Sequence, residues 1–259
     1  MQYKNPVKPL VIIPTYNECE NISRLIPAVL GEDAGLHMLV VDDESPDDTA
    51  GAVLESRKKY TGRVFLISRS GKLGLGRAYV DGFHWGLANG YDFLIEMDGD
   101  WSHNPRYLPK MLQLAKETDF VVGSRYIPNG GTLNWGAGRR ILSKFGSLYS
   151  RLILGVRIAD FTGGFNGWSE EVLRKIDLNT LRSNGYSFQI ELKYRANKLG
   201  FKHAEFPIIF DERRAGKSKM SGSIALEALW RVWSLRFFGN KVLRNMNSPS
   251  RSVETRTEP

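Results

Sequence analysis

Runs of apolar residues alternate with longer stretches of helical period through the first half of the chain. Residues 10–13 form an apolar run stopped by Pro14, the pattern of a buried strand ending in a turn. Asn17 and Glu18 then open a helix whose apolar positions Ile22, Leu25, Ile26 and Val29 recur three and four residues apart. Residues 38–41 repeat the strand pattern and run into Asp42-Asp43-Glu44-Ser45-Pro46. Asp47 or Asp48 is placed there to cap a helix over 49–60. A strand over 64–67, a helix over 74–90, a strand over 93–97, a helix over 107–117 and a strand over 120–122 follow. This order predicts an α/β fold with a mostly parallel sheet covered on both faces. A later strand is expected over 207–210.

In such sheets ligands bind beyond the C-terminal ends of the strands. The polar clusters fall there: 15–18, 42–45, 98–103, and Ser124 with Arg125. Asp98 and Asp100 are two apart, so in extended chain they project to one side. Gly99 between them lets the backbone approach a ligand. Two hard oxygen donors suit Mg²⁺ or Mn²⁺, whose remaining positions a substrate diphosphate fills. His103 is a candidate ligand or supporting residue, with a plain turn histidine before Asn104-Pro105 as the alternative. His37, His84 and His203 show no metal spacing. The run Gly71-Lys72-Leu73-Gly74-Leu75-Gly76 lacks the spacing of a Walker phosphate loop, which disfavours phosphoryl transfer on that pattern. No nucleophile elbow is present.

Composition narrows the classes. A chain of 259 residues, 42% hydrophobic and 25% charged, has ordinary globular usage and can bury a full core. Its single cysteine, Cys19, excludes an internal disulfide and fits a reducing compartment. The net charge of +8 favours anionic partners: nucleic acid, nucleotide phosphates or acidic lipid surfaces. A nucleic-acid-binding protein is the alternative from a different class. Acidic clusters at successive strand ends oppose it, because they repel phosphates unless a metal intervenes.

No stretch reaches the length of a signal peptide or a membrane span, so the protein is not expected to cross a bilayer by itself. Two stretches read instead as basic amphipathic helices. Leu142, Phe145, Leu148, Tyr149, Leu152 and Ile153 recur at helical spacing beside Arg139, Arg140, Lys144 and Arg151. Ile224, Ala228, Leu229, Val232, Trp233 and Phe237 do the same beside Arg231, Arg236, Lys241 and Arg244. Such helices lie in the interface of an anionic membrane or pack on a core.

The motifs also carry a resemblance. Pro14-Thr15-Tyr16-Asn17-Glu18, Val41-Asp42-Asp43-Glu44-Ser45-Pro46-Asp47-Asp48-Thr49, Asp98-Gly99-Asp100 and Gly123-Ser124-Arg125-Tyr126 resemble those of family 2 glycosyltransferases of GT-A fold. Thr162-Gly163-Gly164-Phe165, Gly185-Tyr186-Ser187-Phe188-Gln189-Ile190-Glu191 and Arg213-x-x-Gly216-x-Ser218-Lys219 narrow this to the dolichol-phosphate (polyprenol-phosphate) mannose synthases. Three departures stand out. Glu44 and Asp48 each replace a usual glycine. Trp101-Ser102 replaces the frequent Leu-Gln, leaving a shorter side chain where a glutamine can help hold metal. The Gln-x-x-Arg-Trp signature of processive polysaccharide synthases is absent.

The resemblance implies a GT-A, Rossmann-like mixed sheet in a single catalytic domain over 1–245. Residues 8–127 would form the nucleotide-sugar and metal-binding half and 128–245 the acceptor half, followed by a disordered polar tail over 246–259. It implies that Pro14, Tyr16, Glu18, Val41 and Asp43 cradle base and ribose. Asp98, Gly99 and Asp100 would meet the donor, with Mg²⁺ or Mn²⁺ on the two aspartates. Arg125 would lie near sugar or phosphates, and Arg213 and Lys219 would close over the diphosphate and the acceptor phosphate. Ser124, Arg139 and Arg140 are candidate contacts for the acceptor phosphate. The implied reaction moves mannose from GDP-mannose to dolichyl or polyprenyl phosphate with inversion, on the cytoplasmic face of a membrane. A separate anchoring subunit is a possible partner, and nucleic acid is not one. Transfer of glucose or N-acetylglucosamine from a UDP-sugar is the nearest alternative.

Overall fold

The structure is a computed structural model, and it describes residues 8–181, 186–211 and 230–237. The first half follows the expected order: β1 (Pro9–Thr15), α1 (Cys19–Glu32), β2 (His37–Asp42), α2 (Thr49–Lys59), β3 (Val64–Ser68), α3 (Leu75–Ala88) and β4 (Phe93–Glu96). The helix expected over 107–117 is a 3-10 turn, Pro105–Tyr107, leading into α4 (Leu108–Ala115). Then come β5 (Phe120–Ser124), β6 (Gly131–Thr132), α5 (Ala137–Leu154), β7 (Asn166–Ser169), α6 (Glu170–Lys175), α7 (Tyr186–Lys198), β8 (His203–Pro207) and β9 (Ile209–Phe210).

Seven strands form one sheet in the order β3-β2-β1-β4-β7-β5-β8. All neighbours are parallel except β7, which runs antiparallel to both β4 and β5. Successive side chains of a strand feed opposite faces. Leu10 and Ile12 enter one core with α3 and α7, and Val11 and Ile13 enter the other with α1 and α4. That double burial is why β1 and β2 read as continuous apolar runs. The close seating of α3 depends on Gly82, where an added Cβ would lie 2.5 Å from Ile12 Cγ2.

The strand expected over 207–210 is two strands. β8 ends at Pro207, which has no N–H to continue a ladder, and β9 pairs with β6 in a second, two-stranded sheet. Ile208 makes the switch: its N donates to Ser124 O at 3.0 Å and its O accepts from Gly131 N at 3.0 Å.

α5 turns its apolar stripe outward. Its buried residues are Ser147, Ser150 and Leu154, while Ile141, Leu142, Phe145, Leu148 and Leu152 are exposed. Only Tyr149 and Ile153 of the expected stripe pack against the core. The second stripe also divides. Ile224, Ala228 and Leu229 lie outside the described residues. In the helix over 230–237, Val232 and Leu235 are buried, whereas Trp230, Trp233 and Phe237 are exposed on another face.

Among the described residues, no helix is long and apolar enough to cross a membrane.

Candidate active site

The C-terminal ends of β1, β2, β4 and β5 bring the polar clusters to one edge of the sheet. β1 and β2 are locked first. Thr15 Oγ1 donates to Asp42 Oδ1 at 2.7 Å, and Ser45 donates to Asp42 through both N (2.9 Å) and Oγ (2.6 Å). Asp42 therefore shapes the turn and leaves Asp43 as the carboxylate at the strand end. Asp43 accepts from Arg69 Nη1 at 2.5 Å. Asn17 and Glu44 both adopt positive φ (60° and 56°), backbone that ordinary residues occupy at a cost near functional sites.

The expected nucleotide contacts are spread over this edge. Tyr16 lies under Lys72, whose Nζ is 3.9 Å from the ring centroid. Glu18 begins α1, and its Oε2 accepts from Asn21 Nδ2 at 2.6 Å. Pro14 is partly exposed. Val41 is wholly buried, backbone and side chain alike. Asp47, rather than Asp48, serves the start of α2: its Oδ1 accepts from Thr49 N at 3.2 Å.

Asp98 and Asp100 do not sit on extended chain. β4 stops at Glu96, and Trp101 takes a φ of 66° in the turn that follows. Asp98 is partly exposed and its Oδ1 accepts from Tyr79 Oη at 3.2 Å. Burial, and next the Asp98 charge, push the Tyr79 phenol well above its usual range, so it stays a donor. Asp100 is 4% exposed and its Oδ1 accepts from Ser102 N at 3.1 Å. Gly99 spends its small size on β1, where a Cβ would lie 3.3 Å from Ile13 Cγ2.

The donor set fits a divalent cation. It offers two hard carboxylates in one turn, beside a buried Ser102 Oγ that has no hydrogen-bond partner among the described residues. Among the described residues no group of three or more His, Cys, Asp or Glu side chains could hold a metal, so an ion here would share its shell with substrate oxygens. His103 instead supports the turn, its Nδ1 accepting from Asp98 N at 3.0 Å. Burial holds its ring below the usual histidine range, consistent with a neutral imidazole whose proton is on Nε2.

At the end of β5, Arg125 is 5% exposed and bidentate to Asp160, through Nε and Nη2 at 2.7 Å each. Nη2 also donates to Thr162 Oγ1 at 2.9 Å. Ser124 is fully buried, and its Oγ accepts from Tyr126 N at 3.4 Å. Trp135, which the motifs do not include, gathers the cations of the acceptor side. Arg139 Cζ lies 4.1 Å and Arg125 Cζ 5.4 Å from its ring centroid, and its carbonyl accepts from Arg140 Nη2 at 3.4 Å. Arg139 and Arg140 thus stand in the first turn of α5, the positive end of its dipole. Arg213 and Lys219 lie outside the described residues.

Beneath these loops runs a buried polar network. Glu96 accepts from Asn166 Nδ2 (2.9 Å), Trp168 Nε1 (3.0 Å) and Gln189 Nε2 (2.9 Å). Lys193 Nζ donates to the carbonyls of Asp160 (2.9 Å), Phe161 (3.3 Å) and Gly163 (2.7 Å). A carboxylate inside the apolar strand Phe-Leu-Ile-Glu was the one local signal of this network.

Burial alone would raise Asp160, but the Arg125 guanidinium overrides it and holds the carboxyl at about 2, below its ordinary 3.8. A depressed folded-state value stabilises the fold above the unfolded value, and that contribution is lost as pH falls through the folded one. Acid titration is therefore expected to remove about 2 kcal/mol between roughly pH 4 and pH 2. Chemical denaturation across that range checks it, and Asp160→Asn should flatten this step.

Known proteins share this sequence and fold. The profile of "Glycosyl transferase family 2" matches residues 10–177. Polyprenol monophosphomannose synthase of Mycolicibacterium smegmatis is 47% identical over 230 residues, 88% of this chain and 87% of that protein. Undecaprenyl-phosphate mannosyltransferase of Micrococcus luteus is 45% identical over 232 residues, 87% of this chain and 93% of that protein. Among solved structures, glucosyl-3-phosphoglycerate synthase from Mycobacterium tuberculosis, in complex with Mn²⁺, UDP-glucose and phosphoglyceric acid, superposes with a TM-score of 0.66. It is 18% identical and covers 89% of this chain and 80% of its own. That likeness shows a shared fold.

Proposed function

The chain belongs to glycosyl transferase family 2, and on that premise we propose that it transfers mannose from GDP-mannose to a polyprenyl phosphate, inverting the anomeric carbon. The observation that carries the acceptor is α5. Its first turn holds Arg139 and Arg140 against Trp135, and its outward face is apolar over Ile141, Leu142, Phe145, Leu148 and Leu152. A lipid phosphate presents that same pairing of an anionic head and a hydrocarbon body. The two relatives at 45–47% identity are named for mannose transfer to such lipids.

In the reaction an acceptor phosphate oxygen attacks C1 of mannose from the face opposite the nucleotide. The bond from C1 to the diphosphate breaks, and GDP leaves with the electron pair. A phosphate is already anionic at neutral pH, so no side chain has to remove a proton. The protein's part is alignment and charge neutralisation. Asp43 and Tyr16 would orient the nucleotide, and Arg139 and Arg140 the acceptor. Arg125, fixed by Asp160, would stand as a rigid guanidinium beside them, its charge balanced by that carboxylate. Arg213 and Lys219 are assigned to the diphosphate on their motif. Asp98 and Asp100 would hold Mg²⁺ or Mn²⁺, which when bound neutralises charge on the departing diphosphate.

The exposed stripe of α5, with Trp230, Trp233 and Phe237, supports peripheral attachment to a membrane, alone or through a separate anchoring subunit, and we assign that attachment to the cytoplasmic face. Phe145 and Leu152 are 54% and 70% exposed, so charging them has little folding cost. The double variant Phe145→Glu/Leu152→Glu is expected to weaken sedimentation with phosphatidylglycerol vesicles by about tenfold or more. Unchanged sedimentation would take this face off the membrane.

The reaction itself is tested with purified protein, undecaprenyl phosphate in detergent, a divalent cation and radiolabelled GDP-mannose, UDP-glucose or UDP-N-acetylglucosamine. Lipid-extractable label from GDP-mannose alone supports the proposal. Label from a UDP-sugar keeps the chemistry and changes the donor.

A further inference from the structure

The loop from β3 into α3 lies at the same sheet edge, and the proposed reaction gives it no part. Arg69, the first residue after β3, is 8% exposed. Its N donates to Asp42 O at 2.8 Å, and its Nη1 donates to Asp43 Oδ1 at 2.5 Å. Its Nε lies 3.0 Å from Asp81 Oδ2 on α3, an ion pair by distance in which the N–H is not aligned for a hydrogen bond. Burying a guanidinium is unfavourable unless partners surround it, and an apolar residue commonly stabilises such a position as well or better. The pair is therefore a weak explanation of stability. What it does do is orient Asp43. One carboxylate oxygen is engaged by Arg69, and among the described residues no hydrogen bond reaches the other.

Charge points the same way. A bare carboxylate at this edge would repel a nucleoside diphosphate, and Arg69, which Asp81 shares, offsets part of that charge at contact distance. The brace is rigid because α3 holds both ends of the edge. Asp81 reaches Arg69, and Tyr79, two residues earlier, donates to Asp98 at 3.2 Å.

We infer that Arg69, held by Asp81, is a positioning residue for the nucleotide end of the donor site. It fixes the Asp43 carboxylate so that its second oxygen accepts from a hydroxyl or base N–H of a bound nucleoside diphosphate. The inference rests on the reading of the chain as a nucleotide-sugar-dependent transferase.

Calorimetric binding of GDP and of UDP to the full chain tests it, with thermal unfolding measured alongside. Arg69→Met is expected to weaken the preferred nucleotide by about tenfold or more, with Arg69→Lys and Asp81→Asn weaker effects in the same direction. Donor KM should rise in step while acceptor KM stays. The deciding variant is Arg69→Met/Asp43→Asn. If Arg69 acts through Asp43, the double variant binds no more weakly than Asp43→Asn alone, which a general loss of fold would not produce. Additive losses, or wild-type affinity in folded Arg69→Lys and Asp81→Asn, overturn the inference and leave the donor reading intact. Wild-type protein that binds neither nucleotide removes the donor reading and the inference together.

Discussion

Asp100→Asn is expected to lower turnover by about 10²–10³-fold without moving the thermal midpoint. The substitution is chosen for what it keeps. Asp100 Oδ1 accepts from Ser102 N at 3.1 Å, and asparagine retains that oxygen, so the turn at Trp101 is held as before. What disappears is a negative charge in a site 4% exposed, where a charge interacts far more strongly than in water. With one formal charge left on Asp98, a divalent cation loses the larger part of its protein affinity, and the leaving diphosphate loses its counter-charge. Chelation with EDTA should reproduce the loss in the wild type, and excess Mg²⁺ or Mn²⁺ should restore it there and only weakly in the variant. Asp98→Asn, which keeps the oxygen that Tyr79 approaches, should behave alike. Wild-type turnover in folded Asp100→Asn would take the aspartate pair out of the mechanism.

These two aspartates also show how far the sequence alone could be followed. Their place at the end of β4 was legible, because a strand buried on both faces is a continuous apolar run and the polar residues that end it stand out. Their geometry was not. Extended chain would put both on one side, but β4 stops at Glu96 and a left-handed Trp101 folds the segment into a turn that buries Asp100 more than Asp98.

β7 gave no signal at all. Asn-Gly-Trp-Ser has neither an apolar run nor strict alternation, and it is a strand because β4 and β5 pair with it from both sides while Glu96 collects its Asn166 and Trp168. Arg69 carried no local signal for the same reason: its partner Asp43 is 26 residues away, and the parallel pairing of β2 and β3 brings them together. The helical period of α5 was read correctly, but periodicity does not say which face is covered. The helix buries Ser147 and Ser150 and leaves its leucines out.

The same long-range logic gives the largest expected effect on stability, at Lys193. Its ammonium is fully buried and donates to three carbonyls of one loop, those of Asp160, Phe161 and Gly163. Burial lowers its pKa to about 8, against the pull of Asp160 and Glu96, so it is charged at neutral pH. Lys193→Met keeps much of the volume and removes every donor at once. Three carbonyls lose their partner, and the buried Asp160 and Glu96 lose a positive neighbour. Removing one member of a buried charged set costs about 3–5 kcal/mol, a large part of the roughly 5–15 kcal/mol that holds a domain together. The melting midpoint should fall by on the order of 10 °C for a chain of this size. Lys58→Met, at an exposed pair with Glu55, should leave it unmoved. The damage should also reach the site, because the loop Lys193 holds carries Asp160 and Thr162, the two residues that fix Arg125. Transfer measured well below the lowered midpoint should therefore stay depressed in Lys193→Met. Full transfer by the folded variant would mean that Arg125 keeps its place without the lysine, and that the network serves stability alone.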